Sequence, residues 1–301
     1  MYLIYAYPKT HRVSFTLIAE KHIEYMKKIN GVRVYEVNEQ SFPTLNPVAK
    51  PTAFVHPAIF IMHKVASTRV DHDGNFVMEY YKWWKNKFNQ IIGIDVCDSD
   101  RISDFAVFLL NLTDQVVVPS RLCVEVYKKS GVKVPVHRVP HGVDPEWYEI
   151  PNVWETMPVA SINPSILQLY LYKLKRKKKI ILYWLWHSAD RKGWEEVYQT
   201  YLRLVKERND VVLVLKTMEP NIPEFQQVVN VGAINVYGWL DDYNKMALYD
   251  IADVNLNFSR GGGFELNCLE SLARGVPCIS SNWGSWVDYV PPFLQVPTEF
   301  H

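Results

Sequence analysis

Short apolar runs, each the length of one strand, alternate with stretches of helical periodicity along the whole chain. "YLIYAY" reads as a strand, Ser14 to Lys28 as a helix and "GVRVYEV" as a strand again. "PTAFVHPAIFIM" reads as a buried strand with its exit. "YYKWWKNKFNQII" carries Tyr80, Trp84, Lys87, Phe88 and Ile91 at helical spacing. "DQVVVPS" is a strand ending in a Pro-Ser cap, "RLCVEVYKKSG" a helix closed by Gly131, and "VHRVPHGVD" a strand with a turn. Later, "KIILYWLWH", "DVVLVLKT", "NVYGWL", "DVNLNFS" and "PCISS" read as strands. The helices between them are Lys192 to Glu207, "DDYNKMALYDIA" and "FELNCLESLARG".

Strands that alternate with helices predict an α/β protein, with parallel sheets covered by helices in the doubly wound layout. A length of 301 residues favours two such domains. The proline-punctuated span from Pro145 to Pro164 has no clean period and fits a linker. The expected division is therefore 1–150 and 151–301, two Rossmann-like domains. Ligands of such sheets sit at the carboxyl ends of the strands, so the expected site is a central cleft that the two domains face.

Composition narrows the partners. Lys+Arg 33 against Asp+Glu 32 supplies no basic field for a nucleic acid. Cys97, Cys123, Cys268 and Cys278 have no CxxC spacing and read as reduced core thiols of a cytoplasmic protein, with no zinc site. No apolar run reaches membrane-spanning length, and the N-terminus lacks the marks of a signal peptide.

The candidate chemistry lies in the second half. In "SRGGGFELNCLESLARG", Gly261, Gly262 and Gly263 end a strand and lead into a helix from Phe264 to Gly275. Glycines let a ligand approach the backbone, and a helix N-terminus favours phosphate. A tight strand-to-helix turn with no ligand also fits. Glu270 flanks the apolar stripe of Leu266, Leu269, Leu272 and Ala273, where a carboxylate needs partners. Those partners are either backbone amides and an arginine, or the two hydroxyls of a ribose. In "HSADRKGWEE", Asp190 reads as an N-cap, so Arg191 and Lys192 open the next helix against its dipole. An anion at that spot, or side chains turned to water, would each account for it.

These residues carry a resemblance. "DRKGWEEV", the run from "INVYGWL" to "WGSWVDYV", and "DQVVVPSRLCVEVYKKSGVKVPVHRVPHGVD" resemble the GT-B glycosyltransferases, family 4, which are retaining enzymes. The resemblance covers about residues 90–150 and 180–290. It implies a hexosyltransferase using a UDP- or GDP-linked sugar, metal-independent, with a glycan, lipid or protein acceptor. It implies that Glu270 holds the ribose and that Lys192, with Arg191, holds the diphosphate. The amides of Gly263, Phe264 and Glu265 would meet phosphate or sugar hydroxyls.

The chain departs from the pattern at three points. The first glutamate of the family's pair falls at Gly262, and Glu265 is the nearest substitute, expected to act on the transferred sugar. The upstream arginine falls at Trp186 or His187, which leaves its role to Arg191. The end at His301 implies a shortened member.

The acceptor half is less legible. In "GIDVCDSDRIS", Asp98 is the candidate for a sugar or acceptor contact, or else a capping acid for the helix after it. Lys9 and Arg12, after the first strand, are candidate phosphate contacts or a polar surface loop. His141 reads as structural. The helix around Trp84 packs on its sheet or rests on a membrane. The run "KLKRKKK" is a solvated helix end or a contact for anionic lipid. Two other classes fit the same architecture: a non-catalytic sugar-nucleotide or glycan-binding protein, and a sugar-nucleotide epimerase.

Overall fold

The computed structural model describes residues 1–10, 14–57, 79–186 and 188–299. The chain divides into two compact units, Met1–His141 and Gly142–His301.

The first unit holds six parallel strands: β1 (Tyr2–Tyr7), β2 (Arg33–Asn38), β3 (Thr52–Val55), β4 (Gln90–Ile94), β5 (Gln115–Val118) and β6 (Val136–Arg138). Their order is β2-β1-β3-β4-β5-β6. The helices are α1 (Ser14–Lys27), α2 (Glu79–Lys85), α3 (Asp104–Leu110) and α4 (Arg121–Ser130). Helix α2 stops at Lys85, and Ile91, whose spacing continues the helix in the sequence, lies instead in β4. Trp84, Phe88 and Ile91 are all in the core, and the Trp84 indole donates to the Pro43 carbonyl at 3.1 Å. Cap chemistry explains the ends: Ser103 caps α3, Ser120 caps α4, and Gly131 closes α4 at φ 103°.

The second unit repeats the plan with β7 (Lys179–Trp184), β8 (Val211–Thr217), β9 (Ile234–Tyr237), β10 (Val254–Asn257), β11 (Cys278–Ser281) and β12 (Gln295–Val296). The order is β12-β11-β10-β7-β8-β9, again parallel. Its helices are α5 (Glu146–Glu149), α6 (Val153–Thr156), α7 (Pro164–Arg176), α8 (Ala189–Lys192), α9 (Trp194–Glu207), α10 (Pro223–Val228), α11 (Asp242–Ile251) and α12 (Leu266–Ala273). Strand β7 shows why its run is apolar throughout. Ile180 and Leu182 enter one core with Trp147, Val212 and Tyr249, while Ile181 and Tyr183 enter the other with Trp194, Leu213 and Tyr201.

The segment expected as a linker is part of this second unit, and the division falls at His141 rather than at 150. Trp147 and Val153 are buried. Arg274 explains why. Its guanidinium pairs with Asp250 at 2.8 Å and donates to the carbonyls of Trp147, Ile150 and Pro151. The basic run closes α7, where Lys173 and Lys179 both hold Asp253. All four cysteines are buried and free. Among the described residues no helix is long and apolar enough to cross a membrane.

Candidate functional site

In the second unit, β7 and β10 lie side by side, and the chain winds outward from them in both directions. That is the switch point of a doubly wound sheet, where the loops leaving the two strands diverge and leave a crevice. The loop after β7 carries Arg191 and Lys192. The loop after β10 carries the three glycines and Glu265.

These loops are joined by backbone. The Arg260 amide donates to the Arg191 carbonyl at 2.7 Å. The Arg191 guanidinium donates to the Gly261 carbonyl at 2.7 Å. Gly193 sits at φ 74°, and a Cβ there would stand 2.0 Å from the Phe258 carbonyl oxygen. Only glycine meets both conditions. The Tyr183 hydroxyl donates to the Lys192 carbonyl at 3.1 Å, which ties the same turn to β7.

This geometry corrects the expected helix start. Arg191 and Lys192 do not open the long helix. They close the one-turn α8, and Gly193 redirects the chain into α9, whose first turn carries Glu195 and Glu196. Acids thus occupy the helix start, as the dipole favours. Asp190 lies inside α8, and Ser188, at φ 58°, holds the cap position.

Lys192 and Glu265 meet at the centre. The ammonium lies 2.6 and 2.8 Å from the two carboxylate oxygens. Both side chains are largely buried, at 17% and 8% exposure. The Ser259 hydroxyl stands 3.4 Å from the same carboxylate, and the Tyr289 hydroxyl donates to the Glu265 carbonyl at 2.7 Å. Glu265 is the cap residue of α12, yet its side chain makes no bond to the first turn, because Lys192 takes it. A Cβ on Gly262 would stand 2.4 Å from Glu265 Oε1. The Glu265 carboxylate therefore fills the space that a side chain at 262 would enter.

Glu270, on α12, is 8% exposed and has partners. The Lys245 ammonium donates to Oε1 at 2.8 Å, and the Tyr249 hydroxyl lies 3.0 Å from Oε2. Lys245 also pairs with Asp242. Burial alone would lower the Lys245 pKa, but Glu270 and Asp242 outweigh it and the net shift is upward. A carboxylate has about four acceptor positions, so two partners leave room for ligand hydroxyls. Asn255 braces α12 from β10, its amide donating to the Asn267 carbonyl at 3.3 Å.

Three features escaped the sequence reading. Lys216, next to the last residue of β8, is buried and donates to the carbonyls of Thr217 and Gly238; burial pushes its pKa down to about 8. Trp186 and Trp239, after β7 and β9, form an exposed edge-to-face pair with centroids 6.2 Å apart. Lys245 completes the Glu270 cluster. A lysine inside the apolar run of β8 and tryptophans just beyond two parallel strands were the available signals; Lys245, on α11, gave none.

In the first unit, Lys9 pairs with Glu36 at 3.5 Å, and Arg12 lies outside the described residues. Asp98 does not cap α3, since Ser103 does; it lines a cavity. The His141 ring is 5.9 Å from that of His22.

Two parallel six-stranded units, with a cation–carboxylate cradle at the switch point of one, define a GT-B type of protein. Residues 178–292 match the family model described as glycosyl transferases group 1. "Uncharacterized protein 356" of Sulfolobus islandicus rod-shaped virus 1 is 30% identical over 296 residues, 97% of this chain and 77% of that protein. "Putative glycosyltransferase 45" of Sulfolobus islandicus filamentous virus is 24% identical over 217 residues, 69% of this chain and 54% of that protein. An α,α-trehalose-phosphate synthase structure from Burkholderia xenovorans, in complex with glucose-6-phosphate, has a TM-score of 0.67 at 11% identity. That match covers 99% of this chain and 89% of the synthase chain. Another structure of a UDP-forming synthase from the same organism is spanned over only 62% of its length, with a TM-score of 0.56. Residues 178–292 thus carry a group 1 glycosyltransferase domain, and the chain as a whole has the GT-B fold.

Proposed function

We propose that the protein transfers a hexose from a UDP- or GDP-linked sugar to a glycan, lipid or protein acceptor, with retention at the anomeric carbon and without a metal. The observation that carries this reading is the Lys192–Glu265 pair, held at the β7–β10 switch point by backbone contacts between the two loops. Lys192 and Arg191 supply the positive charge a diphosphate needs, beside the N-terminus of α12. The anion would draw Lys192 toward itself and free Glu265 to accept hydroxyls of the transferred sugar. Glu265 thereby serves where the family has a carboxylate at the position of Gly262. Glu270 keeps acceptor capacity for ribose, with Lys245 and Tyr249 fixing its orientation. The exposed Trp186–Trp239 pair offers aromatic surface at the same sheet edge for the base. UDP is the first nucleotide to test, because solved structures similar in fold include one bound with UDP-2-fluoro glucose.

The test is a thermal melt with UDP and GDP, then hydrolysis of UDP- and GDP-sugars with and without EDTA. One nucleotide should raise the transition, since binding to the folded state alone stabilises it by mass action. Hydrolysis should survive chelation. No shift with either nucleotide at millimolar concentration removes the donor site. Activity lost to EDTA and restored by manganese removes the metal-independent reading.

A further inference from the structure

Two of the buried thiols face each other in the first unit. Cys97 follows β4, and Cys123 stands 26 residues further on, in the first turn of α4. The Cys123 thiol nevertheless donates to the Cys97 carbonyl across 3.7 Å. The two sulfurs also lie within hydrogen-bonding reach of each other. Both side chains sit in one core cluster with Val116, Val118 and Val126, where α4 packs on β5. Their surroundings make the pair unequal. Cys123 is the third residue of α4, and its amide donates to the Ser120 hydroxyl at 3.2 Å. A thiolate at that place faces the positive end of a helix and accepts from the Cys97 thiol. The hydrogen bond from Cys97, with those of the Cys97 backbone and Ser120, outweighs burial and holds the Cys123 thiol below its ordinary range. The Cys97 thiol, as the donor, is pushed up. Cys123 is thus the nucleophile, and Cys97 the partner that keeps its proton.

Access runs past Cys97. It lines a cavity of about 530 Å³, and the lining residues beside it, Asp98, Ser99 and Arg101, are exposed. Cys123 is fully buried, so only a small reagent that passes Cys97 reaches it. In the second unit Cys268 and Cys278 are also neighbours, but both are fully buried in one cluster with Trp286. Burial, the Cys278 thiol and the Glu265 charge push the Cys268 thiol well up. We propose that Cys97 and Cys123 form an oxidation site, which a peroxide closes to a disulfide and a thiol reductant reopens. The Cys123 thiolate attacks one peroxide oxygen, and the O–O bond breaks. Hydroxide leaves, takes up the proton that the Cys123 thiol had shed, and becomes water, while Cys123 becomes a sulfenic acid. The Cys97 sulfur then attacks the Cys123 sulfur and the S–S bond forms. The Cys97 proton departs with the sulfenic hydroxyl as a second water. Together the sulfurs lose two electrons, and the two peroxide oxygens gain them. The bond fastens the loop that carries Asp98 and Arg101 to α4, whether or not the donor site is occupied.

The experiment treats the folded full chain with hydrogen peroxide, then unfolds it, alkylates the remaining thiols and maps the peptides by mass spectrometry. One cross-linked pair of peptides, lighter by two hydrogens, should join Cys97 to Cys123, with Cys268 and Cys278 alkylated. The oxidised chain should melt higher by roughly 5–10 °C, because the cross-link constrains the unfolded state. Dithiothreitol should reverse both changes. Cys97→Ala should leave Cys123 as a sulfenic acid that dimedone traps. Cys123→Ala should slow oxidation of Cys97 by at least about tenfold. The wild-type map needs no variant, so it decides the matter even where an alanine variant fails to fold. Four alkylated cysteines after peroxide treatment of the folded chain overturn the site, and so does a Cys268–Cys278 cross-link in its place. Sulfenic acid on Cys97 in Cys123→Ala, with none on Cys123 in Cys97→Ala, overturns Cys123 as the nucleophile.

Discussion

Glu265 and Glu270 are both buried carboxylates paired with lysine, yet their surroundings assign them different work. Glu270→Gln removes one of the two charges facing Lys245 and leaves Asp242 in place. Loss of a hydrogen bond to a charged group costs roughly 1.5–3 kcal/mol, so the variant should fold and melt lower. If ribose also binds there, UDP affinity should drop about tenfold. Glu265→Gln should instead spare bare UDP and lower turnover of the sugar donor, since its contact is with the transferred group. Calorimetric titration with UDP beside turnover separates the two. A Glu270→Gln protein that melts lower but binds UDP like wild type makes Glu270 a structural acid.

At the scale of elements, the cradle depends on how closely the turn between α8 and α9 lies on the end of β10. Gly193 and Gly232 both have positive φ, at 74° and 86°, but a Cβ on Gly232 meets nothing within 4 Å. Gly232→Ala should therefore cost only the left-handed penalty, about 1–2 kcal/mol. Gly193→Ala adds a collision with the Phe258 carbonyl, so it should cost more and abolish the UDP shift. Equal losses in urea melts, with UDP binding intact, would contradict this. The strands and most helices were legible in the sequence, because apolar periodicity reports burial directly. Glu270 stood out because a carboxylate beside an apolar stripe is anomalous, and Glu265 only through the resemblance, as the nearest carboxylate to the one missing at Gly262. The break at Gly193 was not legible: "RKGWEE" fits one continuous helix unless the contact with Phe258 is known. The pairing of His56 with Asp95, 3.1 Å apart, was hidden for a related reason, since only the register of β3 on β4 makes them neighbours.

At the scale of the molecule, pH should act through the His22–His141 pair. Burial lowers the pKa of both, and the charge of His22 adds to the effect on His141, which falls to about 4. The unfolded chain titrates near 6.5, so between these values it holds more protons than the folded one. Stability is therefore full above about pH 6.5 and declines as pH falls toward 4. Between pH 6.5 and 5 the loss from His141 alone is roughly 1.5 kcal/mol. His141→Gln should flatten that slope in urea melts; an unchanged slope would assign it to other groups.

The Arg274 contacts also decide where the second unit can be cut free. A fragment starting at residue 151 keeps Asp250 but strips the guanidinium of the Trp147 and Ile150 carbonyls. It also removes the Trp147 indole, 3% exposed, from the core. Deleting a buried tryptophan costs roughly 3–5 kcal/mol, a large share of a domain's stability. Residues 142–301 should melt cooperatively and keep the UDP shift, whereas 151–301 should expose apolar surface and bind a hydrophobic dye. The proline-punctuated stretch that looks like a tether is thus the hem that closes the second unit, and an excised donor domain has to be cut before it.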